Sequence, residues 1–474
     1  MNSSRVLEIF KEITCVPRES GHEELIQAFL VDFAARRNLE CRTDEVGNVI
    51  IVRQASPGKE KVPALVLQGH QDMVCEKRNG VEHDFAKDPI RYEIEDGWMI
   101  AKDTTLGADD GIGMAAMLAL LESDLPMGRL ECVFTVSEET GMDGAFGMKP
   151  GFFTGRTLIN LDSEDEGQMF IGCAGGLETF ATFDYTREDN APGYAPIRIE
   201  ITDAIGGHSG DDIDKGRANT IQIMARFLFS ELPYGMKLVL IKGGNKHNAI
   251  ARECEAIISV QDREATIARF KAFAEDVKKE YARTDPDIKL SAVDYRCTEK
   301  PVDQDVARNL IEALFACPHG VESMSHEIPG LVETSTNLAA VRMRHPGKIE
   351  VLTSQRSAVA SARRMIAAKV EACFLLAGAM VRHTSEYPGW APNIDSPILK
   401  LCVESYKHLF GYEPEVKAIH AGLECGLFGE KFGDLDMISF GPTLRGVHAP
   451  GEKLDLASLD KFVEHLTDVV TSFK

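Results

Sequence analysis

The sequence predicts an α/β layer fold interrupted by an inserted domain. Apolar runs of strand length, at 62–67, 130–136 and 158–161, alternate with segments of helical period, and that alternation implies a sheet covered by helices. The middle of the chain has its own strands and helices in a different style, after which the first pattern returns. A chain of 474 residues is also too long for one ordinary core. The expected organisation is a first part at 1–190, an insertion at 191–385 and a second part of the first domain at 386–474.

Residues 3–35 read as two helices. Ser20-Gly21-His22-Glu23 has the spacing of a capping box, and Leu25, Ile26, Phe29, Leu30 and Phe33 keep helical period behind it. Strands follow at 49–52 and 62–67. Asp109-Asp110-Gly111 precedes a strongly apolar helix at 112–121. The strand at 130–136 ends in Ser137-Glu138-Glu139, and the short strand at 158–161 ends in Asp162. In the insertion, a strand at 197–201 leads through Gly206-Gly207-His208-Ser209-Gly210 to a helix at 218–229. A strand at 349–352 then precedes a long helix at 358–379. This repeated strand-then-helix order suggests two related subdomains. Tyr387-Pro388-Gly389-Trp390-Ala391-Pro392 reads as the return linker, and the chain closes with a strand at 436–440 and a helix from Leu456.

Hydrophobic content of 44% and charged content of 27% are those of a globular protein. A formal charge of −22 argues against nucleic-acid or anionic-membrane partners. No apolar run approaches the ~20 residues of a membrane helix, and Met1-Asn2-Ser3-Ser4-Arg5 opens an amphipathic pattern, not an apolar signal core. The eleven cysteines are scattered and never spaced Cys-x-x-Cys, so a reduced, cytoplasmic protein is expected, with no zinc held by thiolates.

His70-Gln71-Asp72 is the most informative segment. Side chains two apart on a strand point the same way, so His70 and Asp72 share a face at the end of an apolar strand. Asp109, Glu138 with Glu139, Asp162 and the late His448 occupy equivalent strand ends, where open α/β sheets bind their ligands. Each alone reads as a solvated or capping residue. Together, imidazoles and carboxylates form a set suited to zinc, manganese or cobalt.

The set His70-x-Asp72, Gly107-Ala108-Asp109-Asp110-Gly111, Glu138-Glu139, Asn160-Leu161-Asp162 and His448 resembles the aminoacylase/carboxypeptidase superfamily of di-metal peptidases. Within it, Gly69-His70-Gln71-Asp72-Met73-Val74-Cys75-Glu76-Lys77 and Gly216-Arg217-Ala218-Asn219-Thr220 resemble the cytosolic aminoacyl-histidine dipeptidases. The resemblance implies a catalytic domain with a central mixed sheet flanked by helices, plus an inserted α+β lid domain. It implies two divalent cations per chain, zinc first, with manganese or cobalt as alternatives. Asp109 would bridge them, His70 and Asp162 would complete one, and Glu139 and His448 the other. Spacing alone does not choose between Asp109 and Asp110; the family pattern favours Asp109. Asp72 would orient His70, and Glu138 would be the general base acting on a metal-activated water.

The same resemblance makes His208 a lid histidine that stabilises the oxyanion, Arg356 the residue holding the substrate carboxylate, and Asn248 a substrate contact. Glu424, in His420-Ala421-Gly422-Leu423-Glu424, is a candidate for the free ammonium of a dipeptide. The alternatives are a mobile surface histidine, a lid ion pair and a surface-loop carboxylate. Cys173 is set aside as a nucleophile, because no histidine is near it in sequence and the metal set already supplies a nucleophilic water. The expected function is hydrolysis of unblocked dipeptides, Xaa-His among them, by a homodimer acting on small peptides. The alternatives are an N-acyl-amino-acid deacylase, a carboxypeptidase, a tripeptidase, or a non-catalytic binding protein of the same fold.

Overall fold

The computed structural model describes residues 1–190, 192–344 and 347–474. The expected start of the insertion, residue 191, lies outside them. The chain divides into two compact units. One comprises Met1–Gly172, Trp390–Ala418 and Leu423–Lys474; the other comprises Cys173–Gly389 and Ile419–Gly422. The first crossing falls ahead of residue 190 because the Gly175–Asp184 strand pairs along its length with Lys348–Ser357, in the second unit's sheet. The return falls between Gly389 and Trp390, inside the predicted linker.

The first unit is built on an eight-stranded mixed sheet. Its order is Glu40–Thr43, Val49–Arg53, Leu130–Thr135, Leu65–His70, Thr157–Asn160, Asp436–Ser439, Gln168–Cys173 and Glu415–Ile419. Leu130–Thr135, Leu65–His70, Thr157–Asn160 and Asp436–Ser439 run parallel to one another, so their carboxyl ends emerge on one edge. Leu65–His70 is buried along its whole length, as a strand covered on both faces must be. It starts later than the apolar run does, because Pro63 has no N–H to give to a ladder. The Ala108–Glu122 helix is buried from Ala108 to Leu121, which explains why it is apolar all round.

The predicted capping box does not form. Glu23 is itself the N-cap of the Glu24–Arg36 helix and makes no side-chain cap there. Its carboxylate accepts the Gly21 N–H and also reaches Ser137, while the Ser20 hydroxyl donates to Asp72 at 2.7 Å. Leu25 is exposed; Ile26, Leu30 and Phe33 carry the buried stripe.

The second unit is a nine-stranded antiparallel sheet. Its order is Lys289–Asp294, Ala195–Thr202, Cys254–Val260, Lys237–Gly243, Val332–Arg344, Lys348–Ser357, Gly175–Asp184 and Met380–Tyr387, with Gly320–Met324 pairing onto Val332–Arg344. Helices Thr220–Glu231, Arg263–Glu280, Gln304–Ala316 and Ala360–Leu376 bury Ile221, Phe227, Phe270, Leu310 and Phe374 in one core with the sheet. The two strand-then-helix halves are therefore parts of one continuous sheet and not separate subdomains. No helix among the described residues is long and apolar enough to cross a membrane.

Candidate metal centre

Four parallel strands deliver the polar clusters to one edge of the first unit. His70 is the last residue of its strand, Ser137 to Glu139 follow Leu130–Thr135, Asp162 follows Thr157–Asn160, and the loop carrying His448 follows Asp436–Ser439. Asp109 comes from the start of the Ala108–Glu122 helix. It and Asp110 have non-helical backbone angles, so the regular helix begins after them.

Asp109 lies between the two histidines. Its Oδ1 is 2.9 Å from His70 Nε2, and its Oδ2 is 3.1 Å from His448 Nε2. Asp162 Oδ1 lies 3.4 Å from His70 Nε2, and Glu139 Oε2 lies 2.8 Å from His448 Nε2. Among the described residues three groups result: His70–Asp109–Asp162 and Asp109–Glu139–His448, which share Asp109, and His70–Glu138–Glu139, which takes one member from each of the other two and adds Glu138. Within each, one ligand atom per residue lies within 4.8 Å of the others.

Donors on one cation at about 2.0–2.2 Å stand no more than ~4.4 Å apart, so the observed 2.8–3.4 Å spacings suit a shared ion. Burial and the neighbouring carboxylates hold Asp162 well above the usual carboxylate range. Burial would lower the His70 imidazole, yet Asp162, Asp109 and Asp72 hold it well above its usual range. Asp109 differs: burial opposes its charge, yet His448 and His70 hold its carboxyl well below the usual carboxylate range, so an ionised carboxylate stands between two imidazoles at spacings a cation can share. The donor set therefore fits two divalent ions.

Asp110 faces away from this set. Its Oδ1 accepts the Gly113 N–H at 3.2 Å, and its Oδ2 is buried without a partner. Of the two adjacent aspartates, Asp109 is the one that lies between the histidines.

Asp72 does two jobs. Its backbone oxygen and carboxylate both approach His70 Nδ1, at 3.1 and 3.4 Å. Its carboxylate also accepts the N–H groups of Glu138 and Glu139, at 3.1 and 3.3 Å. Burial opposes the charge, but His70, Ser20 and the Glu138 N–H hold Asp72 down to about 2. Glu138 offers a carboxylate oxygen beside His70 and Glu139. Burial, reinforced by Glu424, Glu139 and Asp109 against the opposing pull of His70, pushes its carboxyl up to about 8. Ser137 and His448 both sit at positive φ, +49° and +61°, which bends the chain sharply at each.

Glu424 opens the Glu424–Phe432 helix and does not lie in a surface loop; it is 1% exposed. One oxygen accepts from Gln68 Nε2 at 2.6 Å and Thr135 Oγ at 2.8 Å, and the other is buried without a partner. Gln68 in turn accepts from Asn160, whose own Oδ1 accepts from Ser439 and from the Asp162 N–H. This polar line crosses four adjacent parallel strands near their carboxyl ends. The sequence reading missed it because each member looks like an isolated polar residue in an apolar strand.

The second unit gathers the remaining candidates. Arg356 is 7% exposed, donates to Tyr387 OH at 3.1 Å and to Ser209 Oγ at 3.4 Å, and forms no ion pair among the described residues. The expected alternative of a lid ion pair is thus not what forms. His208 is fixed by its backbone: its N–H donates to Asp212 at 2.9 Å, and it bridges to Ala249. Its Nδ1 lies 3.4 Å from Asp211 Oδ2. His208 and Asn248 line one cavity of about 620 Å³ with Gly207, Asn245 and Arg252. His420, unnoticed in the sequence, is buried with its Nε2 2.6 Å from Ser335 Oγ.

The sequence matches peptidase family M20/M25/M40 over residues 66–472. It is 36% identical to the cytosol non-specific dipeptidase of Escherichia coli (strain K12), over 98% of this chain and 96% of that one. The fold matches the crystal structure of aminoacylhistidine dipeptidase from Vibrio alginolyticus with a TM-score of 0.94 and 36% identity, covering 99% and 97% of the two chains. A tripeptidase from Staphylococcus aureus shares the fold at a TM-score of 0.58 and 17% identity, over 99% and 98% of the chains. Given the extent of the match and the paired ligand groups around Asp109, this chain belongs to peptidase family M20/M25/M40.

Proposed function

We propose that this chain is a metal-dependent dipeptidase that hydrolyses unblocked dipeptides, Xaa-His among them. The observation that carries the reading is the pair of ligand groups sharing Asp109, with Glu138 beside them. The two relatives at 36% identity bear dipeptidase names, which supports the substrate class. Two cations, zinc by preference, would be held by His70, Asp109 and Asp162 and by Asp109, Glu139 and His448, and would supply Lewis acidity to the scissile carbonyl and the attacking water.

The protein's own groups do the rest. Glu138 takes the proton from the attacking water and returns it to the leaving amine. Its carboxylate stands beside His70 and Glu139 and outside the two groups that share Asp109, which leaves it within reach of the attacking water for both transfers. Asp72 fixes the His70 ring and the start of the Glu138–Gly141 turn together. Glu424 binds the dipeptide ammonium through its unpartnered oxygen. Arg356, an enclosed guanidinium that forms no ion pair among the described residues, would bind the terminal carboxylate, and His208 and Asn248 would be substrate contacts, as the family resemblance implies. The working protein is a cytoplasmic homodimer.

Replacing Glu138 by Gln should lower kcat by ~10²–10⁴-fold while elemental analysis finds the same metal content. Unchanged turnover refutes the role. A panel of β-alanyl-histidine, alanyl-histidine and N-acetyl amino acids tests the substrate class; cleavage of the acetylated compounds alone would overturn it.

A further inference from the structure

Two buried charges beside the metal centre touch neither a cation ligand's side chain nor each other by a hydrogen bond. Glu452 is 2% exposed. Its carboxylate accepts four successive backbone N–H groups: Leu106 at 2.8 Å, Gly107 at 3.0 Å, Ala108 at 2.8 Å and Asp109 at 3.4 Å. Its own N–H bonds the Ala449 carbonyl, in the turn that follows His448. Arg18 is likewise 2% exposed. It donates to the carbonyls of Gln71 at 3.2 Å and Asp72 at 2.5 Å, and to that of Gly107. A Cβ on Gly107 or Gly111 would meet the Arg18 guanidinium at 2.6 Å, so the helix start is shaped around it.

We infer that Arg18 and Glu452 are positioning residues that preset the spacing of the two metal sites, each tying a different turn to the backbone that leads into Asp109. Arg18 ties the His70–Asp72 turn to the residue two before Asp109. Glu452 ties the His448 turn to the Asp109 backbone itself. Holding each buried charge with backbone groups alone leaves every carboxylate and imidazole of the centre available as a ligand. The inference rests on the two-cation reading above.

The test is cobalt titration of the full chain after chelation, followed by visible absorption and calorimetry. Glu452→Gln replaces one acceptor oxygen by an NH₂ group facing N–H donors. It should weaken the site of Glu139 and His448 by roughly 10–100-fold, and the site of His70 and Asp162 distinctly less, through the shared Asp109 alone. Arg18→Lys, a point charge that cannot span three carbonyls, should weaken the other site. Glu131→Gln is the control. Glu131 is equally buried and accepts from Thr154 and Gly155 backbone and the Thr154 hydroxyl, in a different part of the same unit. It should lower the melting temperature yet leave both cobalt affinities within about twofold. If Glu452→Gln and Arg18→Lys change the affinities no more than Glu131→Gln does, or weaken both sites equally, the inference is wrong. Should Glu452→Gln not fold, Arg18→Lys decides alone. Wild-type protein that takes up no cobalt would sink the metal centre itself, and this inference with it.

Discussion

The Glu23 carboxylate accepts both the backbone N–H and the hydroxyl of Ser137, at 2.9 and 2.8 Å, across 114 residues of sequence. Ser137 is the left-handed residue that turns the chain from its strand into Glu138 and Glu139. Asp72 holds the next two N–H groups. A non-glycine residue at positive φ persists only where its surroundings fix it, and here two buried carboxylates do so.

Glu23→Ala should therefore cost about 1–3 kcal/mol, the usual penalty for stranding buried donors, and should lower kcat more than it raises KM. Thermal denaturation and steady-state kinetics on one dipeptide check both. A loss of stability with kcat intact would mean that the turn holds its shape without Glu23.

Asp109 is the one carboxylate common to both ligand groups. Each cation bound only by the folded state adds about 3 kcal/mol at 100 times its dissociation constant. Chelation should lower the melting temperature, and zinc should restore it. Asp109→Asn should abolish the restoration, whereas His448→Ala should keep part of it through His70 and Asp162. Calorimetric scans with and without zinc measure the difference.

Gly113 lies inside the Ala108–Glu122 helix, where alanine is ordinarily better by ~1 kcal/mol. A Cβ there would stand 2.2 Å from Asp110 Oδ1, and one at Gly69 would stand 1.9 Å from Asp110 Oδ2. The buried Asp110 carboxyl fits between two residues that lack side chains. Gly113→Ala and Gly69→Ala should both destabilise, reversing the sign that helix propensity gives for the first. Denaturant midpoints decide; a stabilised Gly113→Ala would show that Asp110 can move aside.

The candidate ligand set was legible because its chemistry is local: a histidine or acid at the end of an apolar strand stands out, as His70 and Asp162 do, and the fold brings these side chains together. The polar groups that hold the set in place were not legible. Arg18, Glu23 and Glu452 bond backbone atoms far away in sequence, and backbone atoms leave no residue-type signature. The apparent capping box at Ser20 illustrates this. Its spacing was right, but Ser20 and Glu23 both had stronger partners in the centre, Asp72 and Ser137. The inserted unit was legible as a change of style, whereas its single continuous sheet depends on pairings such as Lys348–Ser357 with Gly175–Asp184, which no local pattern records.

His465 supplies a pH test remote from the ligand set. It is 3% exposed, donates from Nε2 to the Cys402 carbonyl at 2.9 Å and packs against Phe440 and Tyr406. Burial pushes its imidazole down to about 4, despite that hydrogen bond. In the unfolded chain it titrates near ~6.5. As pH falls through that value the unfolded form takes a proton that the folded form refuses, so stability is complete above about 6.5 and declines toward 4. The loss attributable to this group is on the order of 3 kcal/mol by the lower end of the window. His465→Gln keeps an N–H donor for Cys402 without a titrating ring, so its stability should fall less steeply between these limits. Urea unfolding at intervals across the window compares the two slopes, and parallel slopes would exclude His465 as a contributor.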